Sequence, residues 1–390
     1  MFFSITNTPK INFPCHYSLD RIKIFTDSGW NIGSTLGSTY LYKGYADTFD
    51  LAQNIGLVIA QNTPKFTGNF CVIHHDHSSG QIHIKSDIWR SFPIFLHDHE
   101  ITNLEQSSKV AWTDSVITVD QDFKINENKI DVIGDIVTDT LDLQQAIVLI
   151  DKILQNKTKK FLSHNKLPIK VHLSGGVDSM LVFSLLEANS QNYEIIKARH
   201  FDYDEFWLAN DTQIRQAFWA YNQLHHWVDP CVLTSGAPGD EFMLRSPVTI
   251  DQFLKYRGQS IMNLISVKQD CLHLDYFSQK KHTDIFRNQS VNKDLSIKDF
   301  YWHLCNMVIN DWQHWHLGNT LTWTPLRDLE IFKILLRLST AHAIDQILDS
   351  KISKLLIEKN VPNMSKLISD QKNSTNPMKN LSDWLFKNPR

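Results

Sequence analysis

The sequence predicts an α/β protein in two parts: a strand-rich stretch of about 135 residues, then a parallel sheet wound with crossover helices and extended by a mainly helical final third. Three observations carry this. Short β-branched or alternating runs separated by turn residues fill the first part. Helical spacing of apolar residues begins just after Asp139. Between residues 169 and 234 strand and helix patterns alternate, as they do where parallel strands are joined by crossovers. A chain of 390 residues suits two domains of roughly 100–200 residues, and the boundary is expected near residue 135, giving 1–135 and 136–390.

In the first part, residues 70–73 and 81–85 read as strands joined through His77-Ser78-Ser79-Gly80, with further strands at 22–25, 57–60, 93–96 and 116–119. Leu141, Leu143, Ala146, Ile147, Ile150, Ile153 and Leu154 then recur at helical spacing, with Thr138 or Asp139 placed to cap the start. A polar break at Ser163-His164-Asn165-Lys166 precedes a strand at Ile169–Leu173, a tight turn and a helix at Val177–Ala188. A strand at 194–201, a helix at 210–227 and a strand at Cys231–Thr234 follow. Residues 250–390 read as mainly helical, and the tail from Asn373 is polar.

Composition excludes several classes. Hydrophobic residues at 42% and charged residues at 21% argue against wholesale disorder. Net charge is −3, from 39 basic and 42 acidic residues, which leaves no electrostatic footprint for nucleic acid or an anionic membrane. No apolar run approaches the roughly 18 residues of a membrane span, and Met1-Phe2-Phe3-Ser4 lacks the basic flank of a secretory signal. A cytoplasmic protein is expected. The five cysteines form no C-x-x-C pair, which argues against a disulfide framework or a zinc ribbon. Of the 18 histidines, the run His74-His75-Asp76-His77 reads as a polar hairpin turn rather than a metal cluster, because adjacent strand residues point to opposite faces. His314 and His316 are wrongly spaced for one helical face.

One segment carries chemistry: Leu173-Ser174-Gly175-Gly176-Val177-Asp178-Ser179. A buried strand runs into two glycines and opens a helix. Without Cβ atoms the backbone can turn sharply and approach a ligand closely, and the helix N-terminus then offers N–H donors and a positive dipole end, a site for phosphate. Ser174 and Ser179 add hydroxyls. Asp178 would repel phosphate unless a cation lies between them, which suggests Mg²⁺. Neither G-x-x-x-x-G-K-[ST] nor G-x-G-x-x-G occurs.

Ser174-Gly175-Gly176-Val177-Asp178-Ser179 resembles the pyrophosphate loop of the N-type ATP pyrophosphatases, which cleave ATP between the α and β phosphates and adenylate a substrate. Three further segments resemble the asparagine synthetase and β-lactam synthetase group. Gly68-Asn69-Phe70 with Ser86-Asp87-Ile88-Trp89-Arg90-Ser91-Phe92-Pro93-Ile94-Phe95 is similar to stretches of its glutaminase domain. Thr234-Ser235-Gly236-Ala237-Pro238-Gly239-Asp240-Glu241 is similar to its S-G-x-G-x-D-E loop, and Thr324-Pro325-Leu326-Arg327-Asp328 to its R-x-P-F-L-D segment. Lys354-Leu355-Leu356, Pro362 and Asp370-Gln371-Lys372 follow the order of its later landmarks.

The resemblance implies an N-terminal αββα domain of the N-terminal-nucleophile hydrolase type over 1–135 and a doubly wound ATP pyrophosphatase domain with helical additions over 136–390. It implies ATP contacts from Leu173, Ser174, Gly175, Gly176, Val177, Asp178, Ser179, Gly236 and Gly239, Mg²⁺ on Asp178 and Asp240, and catalytic roles for Lys372 and Glu241. Arg199 and Arg327 are candidate phosphate or carboxylate ligands, with a structural ion-pair role the preferred reading for each. Two departures stand out. The family's glutaminase needs an N-terminal cysteine, whereas position 2 is Phe2 and the nearest cysteine is Cys15, so a shell without glutaminase activity is expected. Ala237 and Pro238 replace an acid and a glycine in the second loop, which marks a rebuilt acceptor half.

The implied function is an AMP- and pyrophosphate-forming ligase that adenylates a carboxylate and joins it to an amine, without dependence on glutamine. Its partners would be small-molecule or peptide carboxylates and amines, not nucleic acid or membrane, with a homodimer left open. The alternatives are ATP pyrophosphatase chemistry on a nucleobase or tRNA, or a non-catalytic nucleotide-binding relative.

Overall fold

Among the described residues the strands form three sheets: two antiparallel, of six strands each, and one parallel, of four. The computed structural model describes residues 3–7, 15–19, 21–26, 29–47, 49–60, 66–88, 92, 94–102, 109–110, 115–129, 139–173, 176–189, 192–197, 230–234, 236, 239–244 and 320–364. The first antiparallel sheet holds β1 (Phe3–Thr6), β2 (Cys15–Leu19), β3 (Ile22–Thr26), β8 (Phe95–His97), β9 (Glu100–Thr102) and β10 (Lys109–Val110), in the order β10-β8-β9-β1-β3-β2. The second holds β4 (Asn31–Thr35), β5 (Ser38–Ala46), β6 (Gly68–Asp76), β7 (Gln81–Ser86), β11 (Ser115–Val119) and β12 (Ile125–Lys129), in the order β12-β11-β7-β6-β5-β4.

The alternation of each strand decides how these sheets meet. Phe3, Ile5, Ile22 and Ile24 of the first sheet share one core with Leu41, Cys71, Ile73, Ile82, Ile84, Ile117 and Val119 of the second. The two sheets therefore pack face to face, side chains of each filling the space between them. On the outer face of the second sheet lies helix α1 (Ile55–Ala60), whose Ile55 and Val58 pack with Phe70 and Val72.

Four expectations need correction here. Residues 57–60 form part of α1, not a strand; a four-residue apolar run does not distinguish the two, and burial of Ile55 with Val58, an i,i+3 pair, selects helix. His74, His75 and Asp76 belong to β6, and the hairpin turn begins only at His77. The cap of the next helix, α2 (Leu143–His164), is neither Thr138 nor Asp139 but Asp142, which accepts from the Gln145 N–H at 2.7 Å while its own N–H donates to Gln145 Oε1 at 3.2 Å. Such a reciprocal box outcompetes a more distant cap, and Asp139 instead holds Arg337 at 2.6 Å. Finally, the run Thr320–Trp323, expected within a helical region, is a strand.

The parallel sheet contains β13 (Ile169–Leu173), β14 (Glu194–Lys197), β15 (Cys231–Thr234) and β16 (Thr320–Trp323), ordered β14-β13-β15-β16 with every pair parallel. Its core includes Val171, Leu173, Val232, Leu233 and Trp323, covered by α2 through Ile150, Leu154 and Phe161 and by helix α3 (Val177–Ala188) through Met180, Leu181 and Phe183. A short helix α4 (Gly239–Phe242) follows β15, and α5 (Leu329–Leu336), α6 (Thr340–Asp349) and α7 (Lys351–Asn360) follow β16. Among the described residues no helix is long and apolar enough to cross a membrane. The expected boundary near 135 and the expected helix at 210–227 lie outside the described residues.

Candidate site at the strand switch

Strand order places the candidate site. From β13 the chain goes to β14 on one side and then to β15 on the other. Open α/β sheets bind ligands at such a reversal, outside the carboxyl ends of the strands. The described residues that next follow the two strands are Gly176, which opens α3 after β13, and Gly236 after β15.

The two emerging segments are in van der Waals contact, and two glycines make this possible. A Cβ on Gly236 would lie 2.1 Å from Ser179 N and 2.7 Å from Asp178 Cβ. A Cβ on Gly239 would lie 2.5 Å from Asp178 Cγ and 2.8 Å from Leu326 Cδ1. Gly236 thus rests on the first turn of α3, and Gly239 on the Asp178 carboxyl group itself. The resemblance implies nucleotide contact for both glycines; in the structure each lies against the start of α3.

Asp178 is buried in the first turn of α3, capped by Gly176 without a side-chain hydrogen bond. The Ser179 hydroxyl donates to the Gly176 carbonyl at 2.9 Å, so its proton is already directed within the turn. Val177 and Leu173 point their side chains into the core, leaving only their backbone for a ligand. Ser174, Gly175, Ser235, Ala237, Pro238, Arg199 and Lys372 lie outside the described residues, as do the side chains of Asp240 and Glu241.

A cation can be tested against this arrangement. Gly239 holds the main chain against the Asp178 carboxyl, and Asp240 is the next residue. An acid in the first turn of α3 followed across the contact by an acid next to Gly239 is the residue chemistry that a Mg²⁺ ion with phosphate ligands would call for; the Asp240 side chain itself lies outside the described residues. Among the described residues no group of three or more His, Cys, Asp or Glu gathers for a metal.

Several contacts hold the site from behind. Gln346, fully buried on α6, donates to the Met243 carbonyl at 2.9 Å and accepts from the Ile352 N–H at 2.7 Å, anchoring the exit of α4. The Thr234 hydroxyl donates to the Trp323 carbonyl at 2.8 Å. Leu326, which meets Gly239, sits in the segment between β16 and α5, and that segment is tied to the antiparallel sheets. Lys157 donates to the Arg327 carbonyl at 3.0 Å and pairs with Asp328 at 3.4 Å and with Asp47, just past β5, at 3.1 Å. Asp328 also caps α5 by accepting from the N–H groups of Glu330 and Ile331.

Electrostatics make this triad one-sided. Burial pushes the Asp47 carboxyl up, and Lys157 pulls it back only in part. Burial would lower Lys157, but the Asp47 and Asp328 carboxylates outweigh it and raise the amine. One cation between two buried acids stays charged, and Asp47 is the group a proton relieves. Beside it, Tyr45 is raised well above its usual value, by burial first and then by the charges of Asp47 and Asp87. It therefore stays a neutral donor, giving its proton to the Thr322 carbonyl at 2.9 Å, to which Asn69 Nδ2 also donates at 2.7 Å.

Sequence reading passed over Lys157, although a signal existed. Ile150, Leu154, Lys157 and Phe161 form one helical stripe, and a lysine inside an apolar stripe asks for a buried partner. Asp47 carried no such mark. The chain matches no protein-family model and no curated protein.

Proposed function

We propose that the chain is an ATP-dependent ligase of the asparagine synthetase and β-lactam synthetase type, releasing AMP and pyrophosphate. The observation that supports it most is the meeting of two segments at the strand switch, where only glycine fits at positions 236 and 239 because Asp178 and the first turn of α3 fill the space a Cβ would take. An isolated glycine turn needs no partner loop. A nucleotide site needs phosphate-facing N–H groups and a carboxylate held in fixed relation to a second loop.

In this reading a substrate carboxylate attacks the α-phosphorus of ATP, and the P–O bond to the β-phosphate breaks. The first turn of α3 orients the phosphates through its N–H groups and dipole. Asp178 and Asp240 would hold Mg²⁺, which supplies positive charge beside the departing pyrophosphate. Lys372 adds a charge at the α-phosphate, and an amine then displaces AMP to form an amide. The antiparallel sheets would be the αββα unit of that family, present as a scaffold; α1 is its one helix among the described residues.

Incubation with α- and γ-labelled ATP and a pool of carboxylates and amines tests this. AMP and pyrophosphate are expected, with Asp178→Asn lowering turnover tenfold or more, about 1.4 kcal/mol or above. Release of ADP and phosphate, or wild-type turnover in Asp178→Asn, would overturn it.

A further inference from the structure

We propose that His75 and His77 form a second, separate site for a late first-row divalent metal ion, such as Cu²⁺, Ni²⁺ or Zn²⁺, with water completing the coordination. His75 is the penultimate residue of β6, and His77 continues its pairing, its N–H donating to the Gly37 carbonyl at 3.0 Å. Residues two apart on an extended chain share a face, which the neighbours His74 and His75 do not.

The rings suit a common ion. Their centroids are 5.0 Å apart with planes at 54°. Two imidazoles with nitrogens about 2.1 Å from one ion, at a near-tetrahedral angle, place their centroids roughly 5 Å apart. Each ring also has one nitrogen occupied by a hydroxyl on a different strand. Tyr17 Oη of β2 is 3.0 Å from His75 Nδ1, and Thr39 Oγ1 of β5 is 3.0 Å from His77 Nε2. In the tautomers in which these nitrogens donate, His75 Nε2 and His77 Nδ1 keep their lone pairs. Histidine ligands are oriented in this way by an outer partner that also raises their basicity.

The competing histidine pair lacks this geometry. His74 and His83, paired across β6 and β7 on the opposite face, are 5.6 Å apart but stacked at 25°. Lone pairs lie in the ring planes, so nearly parallel rings do not aim at one point. Carboxylate is also missing from the set: the Asp76 side chain accepts from Ser78 and Ser79 in the turn. Two neutral nitrogen donors favour borderline metals over Mg²⁺ or Ca²⁺, and Cu²⁺ over Zn²⁺. Tyr17 belongs to the first sheet and His75 to the second, so the outer partner that orients this ligand comes from across the sandwich.

Calorimetric titration of the full chain with CuSO₄, NiCl₂ and ZnCl₂, with Cu²⁺ electron paramagnetic resonance, tests the site. One ion per chain is expected, Cu²⁺ the tightest, with a two-nitrogen resonance pattern and a raised melting temperature. His77→Gln, at the exposed turn, should weaken binding tenfold or more while leaving the metal-free melting temperature unchanged. Tyr17→Phe should weaken it less, and His83→Gln not at all. Absence of binding at millimolar ion would overturn the proposal. So would undiminished binding by the His75→Gln/His77→Gln double variant, which would place the ion elsewhere.

Discussion

Lys157 and Asp47 form a buried ion pair, 3.1 Å apart, that joins the helix over the parallel sheet to the end of a strand in the antiparallel sandwich. The same amine reaches Asp328 and the Arg327 carbonyl, so one side chain fixes the segment whose Leu326 meets Gly239 at the candidate site. Lys157→Met removes the cation and leaves two buried carboxylates facing each other. A loss of about 3–5 kcal/mol is expected by urea unfolding. Lys333→Met, which breaks the exposed pair with Glu330, should cost less than about 1 kcal/mol. Equal costs would mean that the buried triad has no special role.

The same pair sets an alkaline limit. Lys157 is raised above 10.5 in the fold, so the folded chain holds this proton more tightly than the unfolded chain. Its contribution is complete below pH 10.5 and is lost as pH rises through the folded value. Denaturation midpoints of the wild type should therefore fall more steeply above pH 10.5 than those of Lys157→Met. Parallel profiles would count against it.

Three glycines allow a direct comparison. Gly236→Ala and Gly239→Ala place a methyl group against Ser179 N and the Asp178 carboxyl carbon, and the backbone and buried side chain there cannot yield freely. Each should cost about 1–3 kcal/mol and weaken Mg-ATP binding at least tenfold. Gly56→Ala, in α1 with nothing within 4 Å, should instead stabilise by up to about 1 kcal/mol. Melting temperatures and nucleotide titration separate these outcomes.

Lys372 tests the amide-forming half of the proposed function. If its charge serves the transition state, Lys372→Ala should lower the rate of product formation far more than it weakens ATP binding. Ala237→Glu should restore nothing, because Pro238 alters the backbone that would aim the new carboxylate. Unchanged turnover in Lys372→Ala would remove it from the site.

Much of the parallel sheet was legible because its signals are local. The strand Ile169–Leu173, the helix Val177–Ala188 and the strand Cys231–Thr234 have the predicted bounds: each apolar run ends at a Ser-Gly pair, and after the first the helical period begins at Val177. The run 57–60 was misread because four apolar residues fit either period, and β16 because Thr320–Trp323 shows its strand character only when paired beside β15.

Local signals set the elements around the candidate loop, the residue types within it and the expectation of a phosphate-facing helix start. Those depend on chain stiffness, glycine and hydrophobic period, which act over a few residues. That Gly236 and Gly239 lie in the contact with α3, that Lys157 answers Asp47, and that His75 turns toward His77 rather than His74 emerges only once the sheets are assembled. Each depends on which distant strands become neighbours and in what register. Those choices follow from burying both sheets' apolar faces together, a condition that no single segment carries.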